Sequence, residues 1–138
     1  MKMERQIEKR LKDHFGKYSL VLVLSGPRQV GKTTVLNRLF PEAKYFLLDD
    51  ERLRSVFETF DSLVYKQNFG DSDFIVLDEV HLLSNPGRAV KIIHDLMPDK
   101  KVIITGSSAL NIKNKTAESL AGRKIEYRMW PLTVSEYF

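Results

Sequence analysis

The feature that most constrains this chain is a glycine-rich turn between two apolar segments. An uninterrupted apolar run, Leu20 to Leu24, leads into SGPRQVGKTT, which contains the pattern GxxxxGK[ST] from Gly26 to Thr33. A short apolar run that ends in a turn predicts a strand buried on both faces. The segment from Lys32 to Phe40, stopped by Pro41, predicts a helix. The chain is therefore restricted to folds in which a buried strand passes through a tight loop into a helix.

This pattern is the P-loop, or Walker A motif, and its residue types suit phosphate binding. The glycines let the backbone curl, so that successive N–H groups and the helix N-terminus point at phosphate oxygens. Lys32 can reach the β- and γ-phosphates, Thr33 can place its hydroxyl on Mg²⁺, and Thr34 is expected to cap locally. The loop thus predicts a nucleotide-phosphate site. The expected binding residues are Gly26, Pro27, Arg28, Gln29, Val30, Gly31, Lys32, Thr33 and Thr34.

Hydrophobic runs alternate with helical patterns along the rest of the chain. Further strands are predicted at 44–50, 73–79, 101–106 and 124–130, and helices at 51–66, 87–97 and within 108–121. An amphipathic N-terminal helix, closed by Gly16, is predicted by Met3, Ile7, Leu11 and Phe15. Strands separated by helices imply an α/β fold of three layers, in which a parallel sheet binds ligands at the carboxyl ends of its strands.

An acidic pair, Asp78 and Glu79, ends the predicted strand FIVLDE. An aspartate at this edge can hold Mg²⁺ through water, so that Thr33 and Asp78 are the expected metal residues. A glutamate beside it can orient and polarise an attacking water. Two acidic residues in a loop are common by themselves, but a P-loop on a neighbouring strand favours the catalytic interpretation.

Two further candidates lie later in the chain. In many P-loop ATPases with such an acidic pair, a polar side chain at the tip of the fourth strand senses the γ-phosphate; Ser107 is the first choice, before Thr105 and Ser108. A serine that caps the next helix explains Ser107 equally well. Arg123 could reach the γ-phosphate on a neighbouring subunit as an arginine finger, or it could be a plain surface arginine.

Composition excludes several classes of protein. The 138 residues include no cysteine, which rules out disulfides and thiolate zinc sites and fits a reducing compartment. The longest apolar run is far too short to cross a bilayer, and the charged N-terminus is unlike a secretory signal, so we expect a cytoplasmic protein with no membrane partner. The net charge of +4 fits a bound nucleotide, nucleic acid or a solvated surface.

The motifs together resemble a known family of ATPases. SGPRQVGKTT, FIVLDEVH, IITGSSALNI, SLAGR and YRMWPLTVSEYF follow the order and spacing of the archaeal and bacterial AAA+-like family AAA_14, over Tyr18 to Phe138. The resemblance implies a five-stranded sheet of order 5-1-4-3-2 and binding and hydrolysis of ATP with Mg²⁺. Whether the full-length protein is a homo-oligomer stays open. Residues 1–17 would then be an N-terminal helix and 18–138 the ATPase core. Members usually continue into a helical lid and a region designated DUF4143.

Other functions compete with that of an ATPase. A nucleotide-dependent switch or scaffold with negligible turnover would use the same site. A small-molecule kinase is disfavoured for two reasons. Such kinases do not usually need a glutamate directly after the aspartate at the strand end, as Glu79 is here, and no arginine-rich lid segment is visible in the sequence. A DNA-associated motor is also disfavoured, because the sequence contains basic residues but no stripe of alternating aromatic and basic residues. His81 in DEVH is weak support for a helicase.

The last residues predict a further helix. Thr133 and Glu136 form a capping box, so a helix is expected to begin at Val134, although only Val134 to Phe138 follow. We therefore expect a fragment whose parent continues into a lid, and whose nucleotide binding and hydrolysis are weak in isolation.

Overall fold

A computed structural model of the chain contains the five predicted strands in one parallel sheet. It describes residues 2–27, 31–106 and 122–129. The strand order, β2-β3-β4-β1-β5, is the predicted order counted from the other edge, and every pairing is parallel. The predicted α/β fold class is therefore confirmed. The strands are β1 (Val21–Ser25), β2 (Lys44–Leu47), β3 (Phe74–Asp78), β4 (Lys101–Gly106) and β5 (Lys124–Arg128).

Helices connect the strands, and one predicted helix is divided into two. A single helix over 51–66 was wrong, because Asp61 caps a second helix by accepting a hydrogen bond from Leu63 N, as Asp50 does from Arg52 N for the first. A short 3₁₀ helix, Val80–Leu82, follows the acidic pair. The α-helices are α1 (Lys2–Lys17), α2 (Lys32–Leu39), α3 (Glu51–Phe57), α4 (Ser62–Phe69) and α5 (Pro86–Leu96).

Two predicted helices cannot be compared with the structure. The polar helix expected within 108–121 and the helix expected at Val134 both lie outside the described residues. Among the residues that the structure does describe, no helix combines the length and the apolar character needed to span a bilayer.

The sheet separates two buried clusters of side chains. β1 alternates between them, because Val21 and Val23 pack on one face, whereas Leu22 and Leu24 pack on the other. A strand buried on both faces needs apolar residues at every position, which explains the uninterrupted run in the sequence. The first cluster lies beneath α3, α4 and α5, and the second beneath α1 and α2.

A buried histidine attaches α1 to the sheet. His14 is only 1% exposed; its Nε2 lies 2.7 Å from the carbonyl oxygen of Leu20, and its Nδ1 lies 2.8 Å from the hydroxyl of Tyr127. A carbonyl can only accept a hydrogen bond, so Nε2 carries the hydrogen and Nδ1 accepts from Tyr127. The neutral ring therefore satisfies both nitrogens.

The position of His14 predicts that the domain loses stability in mild acid. Burial lowers the pKa of His14 below its ordinary 6.5, although its hydrogen bond with Leu20 acts in the opposite direction. As the pH falls below 6.5, the ring is protonated in the unfolded chain before it is protonated in the folded protein. The stability that neutral His14 contributes is therefore fully present above pH 6.5 and is lost as the pH falls through the pKa of the folded protein. We expect the free energy of unfolding in urea to decrease between pH 7.5 and pH 5 by more in the wild type than in His14→Gln. Equal decreases in the two proteins would contradict this assignment.

Candidate nucleotide site

The carboxyl ends of three adjacent strands meet at one edge of the sheet. Ser25 at the end of β1 pairs with Gly106 at the end of β4. In β3, Leu77 pairs with Ile104, so the next residue, Asp78, lies beside the same edge. The sheet therefore brings the P-loop and the acidic pair together, as the sequence predicted.

Lys32 joins the ends of β1 and β4. Gly31 takes a left-handed conformation, with φ of 94°, and α2 begins at the next residue. Lys32 Nζ donates hydrogen bonds to the carbonyl oxygens of Gly26 at 2.6 Å and Gly106 at 2.8 Å. The lysine is 6% exposed, so its charge is held among backbone oxygens at the start of a helix. The N-cap residue of α2 is Gly31, which has no side chain to cap the helix, so the charge of Lys32 lies beside a helix N-terminus.

Gly26 is packed against the end of β5. Its φ is 154°, and a Cβ atom placed there would lie 2.6 Å from the carbonyl oxygen of Met129. The N–H of Met129 donates to the carbonyl oxygen of Ser25 at 2.8 Å, which holds the two backbones together. The first glycine of the motif is thus required by the close packing of two backbone segments. The predicted binding residues Arg28, Gln29 and Val30 lie outside the described residues.

The contact at Gly26 predicts that alanine is not tolerated there. Gly26→Ala forces two backbone segments apart, and overpacking of this kind costs about 1–3 kcal/mol. We expect a lower urea midpoint together with weaker nucleotide binding. Gly16→Ala is the matched control, because a Cβ at Gly16 meets nothing within 4 Å and alanine favours helix. A Gly26→Ala protein as stable as Gly16→Ala would contradict the contact.

Three hydroxyl groups surround the carboxylate of Asp78. Thr105 donates a hydrogen bond to Oδ1. The hydroxyl of Tyr45 donates to Oδ2 at 2.8 Å, and Thr33 Oγ1 lies 3.3 Å from the same oxygen. The predicted pair Thr33 and Asp78 is therefore together, whereas Thr34 is exposed on α2 and makes no contact of this kind within the described residues.

Sequence reasoning missed Tyr45, which lies in β2 and belongs to no motif. Its hydroxyl is 3.2 Å from Thr33 Oγ1 as well as 2.8 Å from Asp78. Burial is the main reason that the pKa of Tyr45 is raised; the hydrogen bond with Thr33 acts in the opposite direction, and the negative charge of Asp78 raises the pKa further. The phenol therefore stays protonated and acts as a donor. The only signal in the sequence was a tyrosine in a strand next to the acidic one.

Glu79 has an unusual backbone conformation and contacts both Thr105 and His81. Its φ is 63° and its ψ is 47°, a left-handed conformation that few non-glycine residues adopt. Its N–H donates to Thr105 Oγ1 at 3.1 Å, and its carboxylate lies 3.4 Å from His81 Nε2. Since Thr105 also donates to Asp78, this threonine fixes both members of the acidic pair to β4.

The roles predicted for Ser107 and Arg123 both stay predictions, for different reasons. Ser107, with its neighbour Ser108, lies outside the described residues, so its role as a sensor stays a prediction. Arg123 precedes β5 at the amino edge of the sheet, where its Nε donates to Asp95 at 3.1 Å. The P-loop of the same chain is at the opposite edge. The predicted contact with a γ-phosphate is thus available only on a neighbouring subunit, and it also stays a prediction.

Solved structures of several ATPases and related proteins share this fold. A DNA replication initiation factor aligns with a TM-score of 0.64 and 16% identity, over 93% of this chain and 45% of its own. A Walker-type ATPase of Pyrococcus abyssi aligns with a TM-score of 0.56 and 17% identity, over 91% and 52%. A signal transduction ATPase with a tetratricopeptide repeat sensor from Pyrococcus horikoshii aligns with a TM-score of 0.51 and 19% identity, over 88% and 22%. The chain therefore spans about half the length of the first two, or less.

A family model gives a more specific match than these structures. No functionally curated protein matches the chain significantly. The model of AAA_14, described as an AAA domain, matches residues 18–138, which is most of the chain. The P-loop at the end of β1 and the acidic pair at the end of β3 agree with a nucleotide-binding, ATPase-like domain. From its matched sequence, the chain belongs to the AAA_14 family of AAA domains.

Proposed function

We propose that this domain binds Mg²⁺-ATP at the P-loop and hydrolyses it. The observation that supports the proposal is the meeting of Lys32, Thr33 and Asp78 at one edge of the sheet, with Lys32 Nζ 2.6 Å from Gly26 O and Thr33 Oγ1 3.3 Å from Asp78. A buried ammonium group beside a helix N-terminus favours a polyanion. A hydroxyl paired with a carboxylate adds a place for a cation beside that anion.

The side chains around Asp78 fit Mg²⁺ in type. Magnesium prefers oxygen ligands, and in nucleotide sites it uses one or two protein oxygens plus those of the phosphates. Thr33 and Asp78 would hold the ion, Thr33 directly and Asp78 through water. When bound, the ion would neutralise negative charge on the β- and γ-phosphates.

The remaining steps belong to residues of this chain. Lys32 would exchange its carbonyl partners, Gly26 and Gly106, for phosphate oxygens, which are stronger acceptors for an ammonium group. The carboxylate of Glu79 would orient the attacking water and accept its proton. Thr105 would keep Glu79 in place, because it binds the Glu79 N–H at 3.1 Å.

The direct test is a comparison of binding with turnover. We expect isothermal titration calorimetry to detect ATP binding that Mg²⁺ strengthens, and a phosphate-release assay to detect hydrolysis only when Mg²⁺ is present. Absence of ATP binding by the folded protein would refute the proposal.

A switch with negligible turnover is the second candidate, and one contact favours it. Glu79 lies 3.4 Å from His81, so the carboxylate that should activate water already has a neighbour that competes for it. Binding of Mg²⁺-ATP by the wild type with phosphate release no faster than in a sample without protein would select the switch over the ATPase.

A further inference from the structure

The hydroxyl of Tyr45 lies at the place where the proposed metal site would form. It is 3.2 Å from Thr33 Oγ1 and 2.8 Å from Asp78 Oδ2, the two groups expected to hold Mg²⁺. Tyr45 itself belongs to neither the P-loop nor the acidic strand. Its position therefore needs an explanation separate from those motifs.

Tyr45 is held by the sheet rather than by a loop. It lies in β2, paired with Val76 of β3, and its ring packs against the buried cluster beneath α2. Side chains anchored on strands and packed on one face keep a more constant position than those on loops. The packed ring thus fixes the position of the hydroxyl at the carboxyl ends of the strands.

The hydrogens at Asp78 can be assigned from the chemistry of its neighbours. A phenol is neutral near pH 7 and has one hydrogen to donate, and its shortest contact is with Asp78 Oδ2. The other carboxylate oxygen, Oδ1, receives the hydrogen of Thr105. Both oxygens are therefore oriented by neutral donors, one from each strand beside β3. Thr33 Oγ1 lies 3.3 Å from Oδ2, so that Thr33 and the phenol approach the same carboxylate oxygen.

We propose that Tyr45 is a positioning residue for the metal site, which holds Asp78 and Thr33 in the geometry that Mg²⁺ requires. This inference rests on the proposed function. Magnesium demands nearly ideal octahedral coordination, so small rotations of its ligands weaken binding. Partners that orient metal ligands change metal affinity by about 10–100-fold when they are removed. Tyr45 would therefore determine how strongly Mg²⁺ promotes nucleotide binding, without touching the nucleotide.

The experiment compares Tyr45→Phe with the wild type by calorimetry, with ATP as the probe. The affinity for ATP is measured once with EDTA and once with saturating Mg²⁺, and the ratio of the two affinities reports coupling between ion and nucleotide. Phenylalanine keeps the packed ring and removes only the hydroxyl. We expect unchanged affinity in EDTA and loss of most of the Mg²⁺-dependent gain.

Tyr65→Phe is the matched control. Its hydroxyl also donates a hydrogen bond, but to Phe57 O at 2.7 Å in the other cluster. Tyr65→Phe should keep the wild-type ratio, and urea midpoints of both variants would reveal any general damage to the fold. An unchanged or larger ratio in Tyr45→Phe, or an equal loss in Tyr65→Phe, would overturn the role of Tyr45 and leave the proposed function intact. A wild type that binds no ATP, or gains nothing from Mg²⁺, would overturn both.

Discussion

Replacing Lys32 by methionine or alanine is expected to abolish measurable ATP binding while the chain stays folded. Lys32 would contribute two or more charge-assisted hydrogen bonds to phosphate, each worth about 1.5–3 kcal/mol. Their loss corresponds to an affinity at least about 100-fold weaker. Isothermal titration calorimetry with Mg²⁺-ATP measures the effect.

The choice of methionine follows from the burial of Lys32, which is only 6% exposed. Lys32→Met keeps the volume of the stem and removes only the charge, so it separates loss of binding from loss of packing. Lys44→Ala is the charge-matched control, because it removes an exposed lysine at the opposite edge of the sheet. Unchanged ATP affinity in a folded Lys32→Met protein would show that the site is elsewhere.

Glu79→Gln is expected to leave Mg²⁺-ATP binding unchanged and to lower phosphate release by about 10²–10⁴-fold. The amide keeps the shape of the side chain but cannot accept a proton from water. The backbone hydrogen bond from Glu79 N to Thr105 does not involve the side chain, so the acidic strand should keep its position. Phosphate release at saturating Mg²⁺-ATP and calorimetry on the same samples separate the two effects.

The control for this substitution removes the same charge elsewhere. Glu42→Gln neutralises an exposed carboxylate just before β2, at the edge of the sheet far from the P-loop. Its turnover should equal that of the wild type. If Glu79→Gln hydrolyses ATP as fast as Glu42→Gln does, Glu79 is not the base.

Much of the fold could be predicted because its signals are local. β1 contains most of the uninterrupted apolar run Leu20 to Leu24, and the P-loop is a contiguous motif, so both were visible in the sequence alone. The order of the strands came from the resemblance to a family, since no local pattern determines which strands become neighbours. The division between α3 and α4 was also local: the Asp61-Ser62 pair is a helix N-cap signal, but the hydrophobic spacing across 51–66 concealed it.

The details of the site could not be predicted in the same way. Tyr45 is 33 residues from Asp78, and Thr105 is 27 residues from it. Which side chains reach Asp78 depends on strand register and on which face each residue takes, and both are set by the packed sheet. Thr105 was considered as a second choice for a phosphate sensor, yet its hydroxyl is engaged with the acidic pair. A motif identifies the acid but not the groups that orient it.

The left-handed conformation of Glu79 sets the stability of the fold against retention of the carboxylate at this position. With φ of 63°, a residue that has a side chain carries a conformational cost of about 1–3 kcal/mol that glycine would avoid. Selection of variants for stability alone would therefore favour glycine at position 79, which removes the carboxylate. Mutagenesis that rewards hydrolysis would retain the strained glutamate and gain stability elsewhere in the domain. Position 79 is thus where stability and the proposed catalytic carboxylate make opposite demands on the residue.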